Sequence, residues 1–89
     1  MAYRVEFTRR AEREWKGLSR LVQTRLKARI DSLADESHRP GADKLSGPDN
    51  LYRIRVGDYR VIYAVQATGL LVLVIRVGHG REVYRNLFK

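Results

Sequence analysis

The chain contains no cysteine, so no disulfide fastens it and no thiolate can serve as nucleophile or metal ligand. It has no apolar run approaching the ~18 residues of a membrane-spanning helix. The opening MAYRVEFTRR lacks the apolar stretch of a secretory signal. Its two histidines, His38 and His79, stand far apart with no carboxylate cluster beside either, so no metal and no cofactor is expected. A Ser/His/Asp hydrolase has equally little support. Gly78-His79-Gly80 is too short for a phosphate-cradling loop and lacks the helix that should follow one. These absences predict a soluble cytoplasmic protein, residues 1–89 forming one small domain, with 44% hydrophobic residues to build a single core.

Positive charge is abundant. Eighteen Lys and Arg against ten Asp and Glu give a net charge of +8, and most of the basic residues are arginine. Arginine presents a planar fork of donors that matches phosphate better than an ammonium does. From Leu51 onward, seven basic residues face two acids. Such a surplus either solvates a surface or meets a polyanion, and in a small basic domain it favours nucleic-acid contact.

Hydrophobic spacing supplies the elements. Tyr3–Phe7 alternates as a strand with Tyr3, Val5 and Phe7 inward. Thr8 can cap a helix over Arg9–Leu18, in which Ala11, Trp15 and Leu18 share a face. Ser19 can cap a second helix reaching Ala34, with Val22, Leu26, Ile30 and Leu33 as its buried stripe. The charges between the stripes (Arg10, Arg13, Arg20, Arg25, Lys27, Arg29) fit a solvated face. Asp35–Asn50 holds both prolines and reads as one long loop.

The stretch LYRIRVGDYRVIY is a hairpin. Glycine at the first central position of Gly57-Asp58 signals a type II′ turn, which fixes Val56 opposite Tyr59. Ile54 then faces Val61 and Tyr52 faces Tyr63, all on the core side. On the other side Arg55 lands opposite Arg60, and Arg53 opposite Ile62. Like charges placed so cost roughly 0.2–1 kcal/mol. Folding gives no reason for them, whereas a polyanion does.

A three-residue connection, Ala67-Thr68-Gly69 with Gly69 left-handed, would pair Gln66 with Leu70. That register sets Arg60 beside Arg76, Val61 opposite Ile75, Tyr63 opposite Leu73 and Tyr59 opposite Val77. The exposed face would then carry Arg53, Arg55, Arg60 and Arg76 along an apolar strip of Ile62, Ala64, Val72 and Val74. The expected fold is α+β, ordered β-α-α-β-β-β, with an antiparallel sheet packed on two N-terminal helices. Beyond the last strand come His79, Arg81, Tyr84 and Arg85. Singly these read as a turn residue, a core aromatic and solvated charges. Beside Arg55 and Arg60 they make a donor-rich pocket with one group titrating near neutrality and one stacking platform.

The phrases Lys44-Leu45-x-Gly47, Leu51-Tyr52-Arg53-Ile54-Arg55-Val56-Gly57-Asp58-Tyr59-Arg60-Val61-Ile62-Tyr63 and Val77-Gly78-His79-Gly80-Arg81-Glu82-Val83-Tyr84 closely resemble the RelE/ParE superfamily of toxins from type II toxin–antitoxin modules. The likeness spans nearly the whole chain and is to the RelE branch in particular. It implies a metal-independent endoribonuclease that cuts mRNA in the ribosomal A site by 2′-hydroxyl attack. Its implied partners are the ribosome, mRNA and a cognate acidic antitoxin, in a heterotetramer or larger complex, and no membrane.

By the same resemblance, Arg53 and Arg55 match two basic strand positions that are lysines in the best-known RelE enzymes. Arg60 matches the arginine holding the scissile phosphate, and Tyr84 the tyrosine stacking on a base. Gly80 stands where many relatives carry an arginine, which leaves Arg81 as the nearest substitute. Lys44, Arg76 and Arg85 complete the RNA-binding charge. Arginine stays protonated and cannot easily act as a base. Arg53, Arg55, Arg60 and Arg81 are therefore assigned to electrostatics and positioning, and His79 to acid/base work, with substrate- or ribosome-assisted proton transfer as the fallback. Two other readings stay open: a ParE-like gyrase poison without catalysis, and a catalytically decayed nucleic-acid-binding module.

Overall fold

Thr8 and Ser19 each take an extended backbone conformation and begin a helix, as their hydroxyls predict. The computed structural model describes residues 3–34, 43–45, 51–66 and 70–80. Strand β1 (Arg4–Phe7) leads into helix α1 (Arg9–Lys16), and Thr8 Oγ1 accepts the Ala11 N–H at 3.1 Å. Helix α2 (Arg20–Ser32) follows, with Ser19 Oγ accepting from Val22 N at 3.3 Å. Then come β2 (Asp43–Lys44), β3 (Leu51–Val56), β4 (Tyr59–Gln66) and β5 (Leu71–His79). Strand β2 lies inside the stretch expected to be only loop.

The five strands form one sheet in the order β1-β5-β4-β3-β2. The α+β arrangement expected from sequence is present. The sheet is mixed rather than wholly antiparallel, because β1 pairs parallel to β5, with Val5 opposite Val72 and Phe7 opposite Val74. A parallel pair needs a long crossover, and the two helices lie within it.

The β3–β4 hairpin keeps the expected register throughout, from Val56↔Tyr59 to Tyr52↔Tyr63. Gly57 has φ +60, and Asp58 is not among the positive-φ residues, consistent with type II′ chemistry. Ile54 and Val61 are fully buried in the core with Ala11, Leu26, Ile30, Leu33, Tyr63, Val65, Val72, Val74 and Val77. Truncating one of these, Leu26 for example, to alanine costs about 2–5 kcal/mol. Phe7 and Trp15 close one side edge-to-face at 5.7 Å.

The β4–β5 register differs from expectation. Gln66 pairs with Leu71, not Leu70, and Leu70 itself has φ +50; residues 67–69, including Gly69, lie outside the described residues. This one-residue slip turns Val72 and Val74 into the core, opposite Val65 and Tyr63, because strand faces alternate with period two. The ladder then jumps from Tyr63↔Val74 to Ile62↔Arg76, so Ile75 is the extra residue of a β-bulge. The bulge restores the parity, and Val77 returns to the core opposite Val61. The slip thereby takes Val72 and Val74 out of the expected exposed strip, while Ile62 stays on the Arg53 side of the sheet. Ile62, Val72 and Val74 are fully buried, and only Ala64 keeps partial exposure.

Candidate nucleic-acid interface

The tight turn and alternating pattern of β3–β4 bring Arg55 opposite Arg60 and Arg53 opposite Ile62, all on the side away from Ile54 and Val61. Arg55 is exposed, and Arg53 and Arg60 are partly so. Arg60 folds back over the turn, where its Nη1 donates to the Gly57 and Tyr59 carbonyls, each at 3.0 Å. Neither Arg55 nor Arg60 makes an ion pair with a described residue. Two cations across one ladder, with one guanidinium held by carbonyls, form a ready anion site.

Two glycines shape the space around Arg60. Gly78 pairs directly with it and adds no side chain. The Gly80 N–H donates to the Asp58 carbonyl at 2.8 Å, tying the end of β5 to the turn. A Cβ on Gly80 would lie 3.5 Å from Arg60 Cζ and 3.6 Å from its Nη2. The backbone thus packs against the guanidinium.

The other site residues divide. His79 pairs with Tyr59 and meets its ring edge-on at 5.9 Å, so it shares the side of Val61 and Val77, opposite to Arg60. The structure does not bring His79 together with the arginines. Arg76, expected on the open face, is only 4% exposed. Its Nε donates to Glu14 Oε2 on α1 at 2.9 Å, while Glu14 Oε1 accepts the Val77 N–H at 3.0 Å. Arg76 is a buried structural cation, not part of an RNA-binding surface. The reason is α1, whose Glu14 carboxylate lies over this stretch of β5 and takes up the guanidinium.

Lys44 pairs through its backbone with Tyr52, on the strand next to Arg53. Arg81, Tyr84 and Arg85 lie outside the described residues. Glu14 was missed from sequence, yet it left a signal. It stands one turn after Ala11, the buried residue of α1, where a carboxylate needs a buried cation. Among the described residues no cluster of His, Cys, Asp or Glu could hold a metal. No helix there is long and apolar enough to cross a membrane. Behind the hairpin Tyr63 stacks on Tyr52 at 5.6 Å. Burial, with a smaller push from Tyr52, raises the Tyr63 hydroxyl pKa to about 12, while Arg29 lowers it slightly.

Comparison with known proteins agrees with this fold. A family model described as the ParE toxin of the type II toxin–antitoxin system parDE matches residues 5–84. The mRNA interferase toxin RelE of Escherichia coli K12 is 37% identical over 93 aligned residues, covering 100% of this chain and 97% of that one. The isolated E. coli RelE toxin superposes with a TM-score of 0.81 at 31% identity, over 97% of this chain and 95% of the other. The toxin in the intact E. coli RelBE toxin–antitoxin complex does so at 0.79 and 34%, over 88% and 96%. A sequence match along nearly its whole length and a shared fold with those toxins place the chain in the RelE/ParE family of type II toxin–antitoxin toxins.

Proposed function

We propose that this chain is the toxin of a type II toxin–antitoxin module and that it cleaves mRNA on the ribosome in the cytoplasm. The observation that carries the reading is the Arg55–Arg60 pair set across a hairpin beside Arg53, neither of the two ion-paired with a described residue. The likeness to proteins named mRNA interferase supports it. In this mechanism the 2′-hydroxyl attacks the adjacent phosphate in line and the 5′-oxygen leaves. Arg60, with Nη1 anchored on the turn, turns its remaining donors to the phosphate as negative charge builds on it. Arg53 and Arg55 hold the flanking backbone, and Arg81 and Tyr84 are assigned phosphate contact and base stacking. Because His79 faces away from Arg60, proton transfer falls to the substrate or the ribosome.

An 89-residue domain has little surface with which to align RNA, so the ribosome must supply the in-line geometry. Purified protein should therefore cut mRNA on programmed ribosomes far faster than free RNA. The ends should be a 5′-hydroxyl and a 2′,3′-cyclic or 3′-phosphate. Equal rates on both substrates would contradict the proposal. The family model's ParE description favours one second reading, a gyrase poison without catalysis, and double-strand DNA breaks in place of RNA ends would support it. A cognate antitoxin, as in the RelBE complexes of relatives, is the expected partner.

A further inference from the structure

Strand β1 stops at Phe7 while β5 runs on to His79, so among the described residues the β5 edge beyond Val74 has no neighbouring strand. Helix α1 takes its place. The Thr8 N–H donates to the Val74 carbonyl at 2.9 Å, and Thr8 Oγ1 donates to the Ile75 carbonyl at 3.2 Å. Glu14 then accepts from Val77 N and Arg76 Nε, committing both carboxylate oxygens. These contacts bracket Ile75, the extra residue of the bulge, on both sides.

If the bulge relaxed, the ladder after Tyr63↔Val74 would continue as Ile62↔Ile75, Val61↔Arg76 and Arg60↔Val77. Arg76 would be driven into the core and a valine would replace Gly78 opposite Arg60. We propose that Glu14 is a positioning residue for RNA cleavage. By holding Arg76 and the Val77 amide it locks the bulged register that sets Gly78 and Gly80 against Arg60. The inference rests on Arg60 as the phosphate-binding group. An aliphatic contact could hold α1 on the sheet as firmly as this ion pair does. Only acceptors at this spacing also dictate which amide of β5 faces α1.

Two variants of the full chain test this. Glu14→Gln removes the negative charge that Glu14 sets beside the Arg76 cation. Glu14→Leu/Arg76→Met fills the same space without the bonds and should stay folded. In both, the amide resonances of Val77, Gly78 and Gly80 should shift or double. Cleavage on saturating programmed ribosomes should fall about tenfold in kcat with KM changed less than about twofold. Wild-type rates in the double variant, or a loss in Glu14→Gln that merely follows its unfolded fraction, overturn the positioning role. If the parent protein cuts no RNA, the Arg60 reading fails on its own. The amides still decide the register, and unchanged Val77, Gly78 and Gly80 signals in both variants overturn it.

Discussion

Arg60 spends one of its nitrogens on the turn that carries it, which restricts the guanidinium before any ligand arrives. Little further ordering is then needed at the phosphate, and the charge acts most strongly as the transition state gains negative charge. Arg60→Ala should lower the single-turnover rate on saturating ribosomes by roughly 100-fold or more, with binding changed far less. Weaker binding with an intact bound-state rate would make Arg60 an anchor only. His79→Gln should change that rate less than about threefold and leave its pH profile intact, because the imidazole sits against Tyr59 on the other side of the sheet. A profile flattened between about pH 5 and 8 would return His79 to the mechanism. Tyr63 makes a prediction about folding. Its hydroxyl stays neutral in the folded chain up to about pH 12, whereas the unfolded chain begins to ionise near its ordinary value of 10.0. Below pH 10 both states hold the proton and nothing is lost. Between 10 and 12 only the unfolded state releases it, so stability should fall across that window by about 2 kcal/mol. Urea titrations of Tyr63→Phe over the same range should show a shallower decline, and an equal slope would assign the loss to other groups.

Elements whose local chemistry fixes their geometry were legible, and those fixed by distant partners were not. The β3–β4 hairpin followed from Gly57-Asp58 and the alternation around it, and with it came Arg53, Arg55 and Arg60 on one face. Helix starts followed from Thr8 and Ser19. The β4–β5 connection carries no equally strong turn signal, and nothing local in VLVIRVG marks Ile75 as a bulge. The misplacement of Val72 and Val74 stems from that one slip, and the burial of Arg76 from its distant partner Glu14 on α1. The parallel docking of β1 was equally hidden, since pairing across a crossover depends on the assembled sheet. Thr8 joins both kinds of information, for its hydroxyl caps α1 and also donates to the Ile75 carbonyl. Thr8→Ala should therefore cost more than an ordinary cap, about 2 kcal/mol, read as a lower urea midpoint with an unchanged slope. Thr8→Ser keeps the hydroxyl and should recover most of it. A loss below about 0.5 kcal/mol in Thr8→Ala would mean that the cap is dispensable and that α1 is held by packing alone.

At the scale of the whole molecule, the net charge of +8 and the scarcity of exposed apolar side chains among the described residues bear on how a partner can bind. The strip of Ile62, Val72 and Val74 that would have offered a greasy docking face is buried, and among the described residues Leu21, 64% exposed, is the one large hydrophobic left open to solvent. An antitoxin that silences the arginine face must then rely mainly on acidic side chains meeting Arg55 and Arg60, with a smaller apolar contribution. Charge attraction of this kind speeds association and is screened by salt, whereas apolar burial is not. Co-expression with the cognate antitoxin should restore growth and raise yield. Affinity for its acidic segment, measured by titration calorimetry, should weaken at least about tenfold between 0.05 and 0.5 M salt, largely through a slower on-rate. Arg55→Ala should reduce that salt dependence as well as the affinity. An affinity indifferent to salt would place the binding energy in apolar contacts instead, and the arginine face would then serve RNA alone.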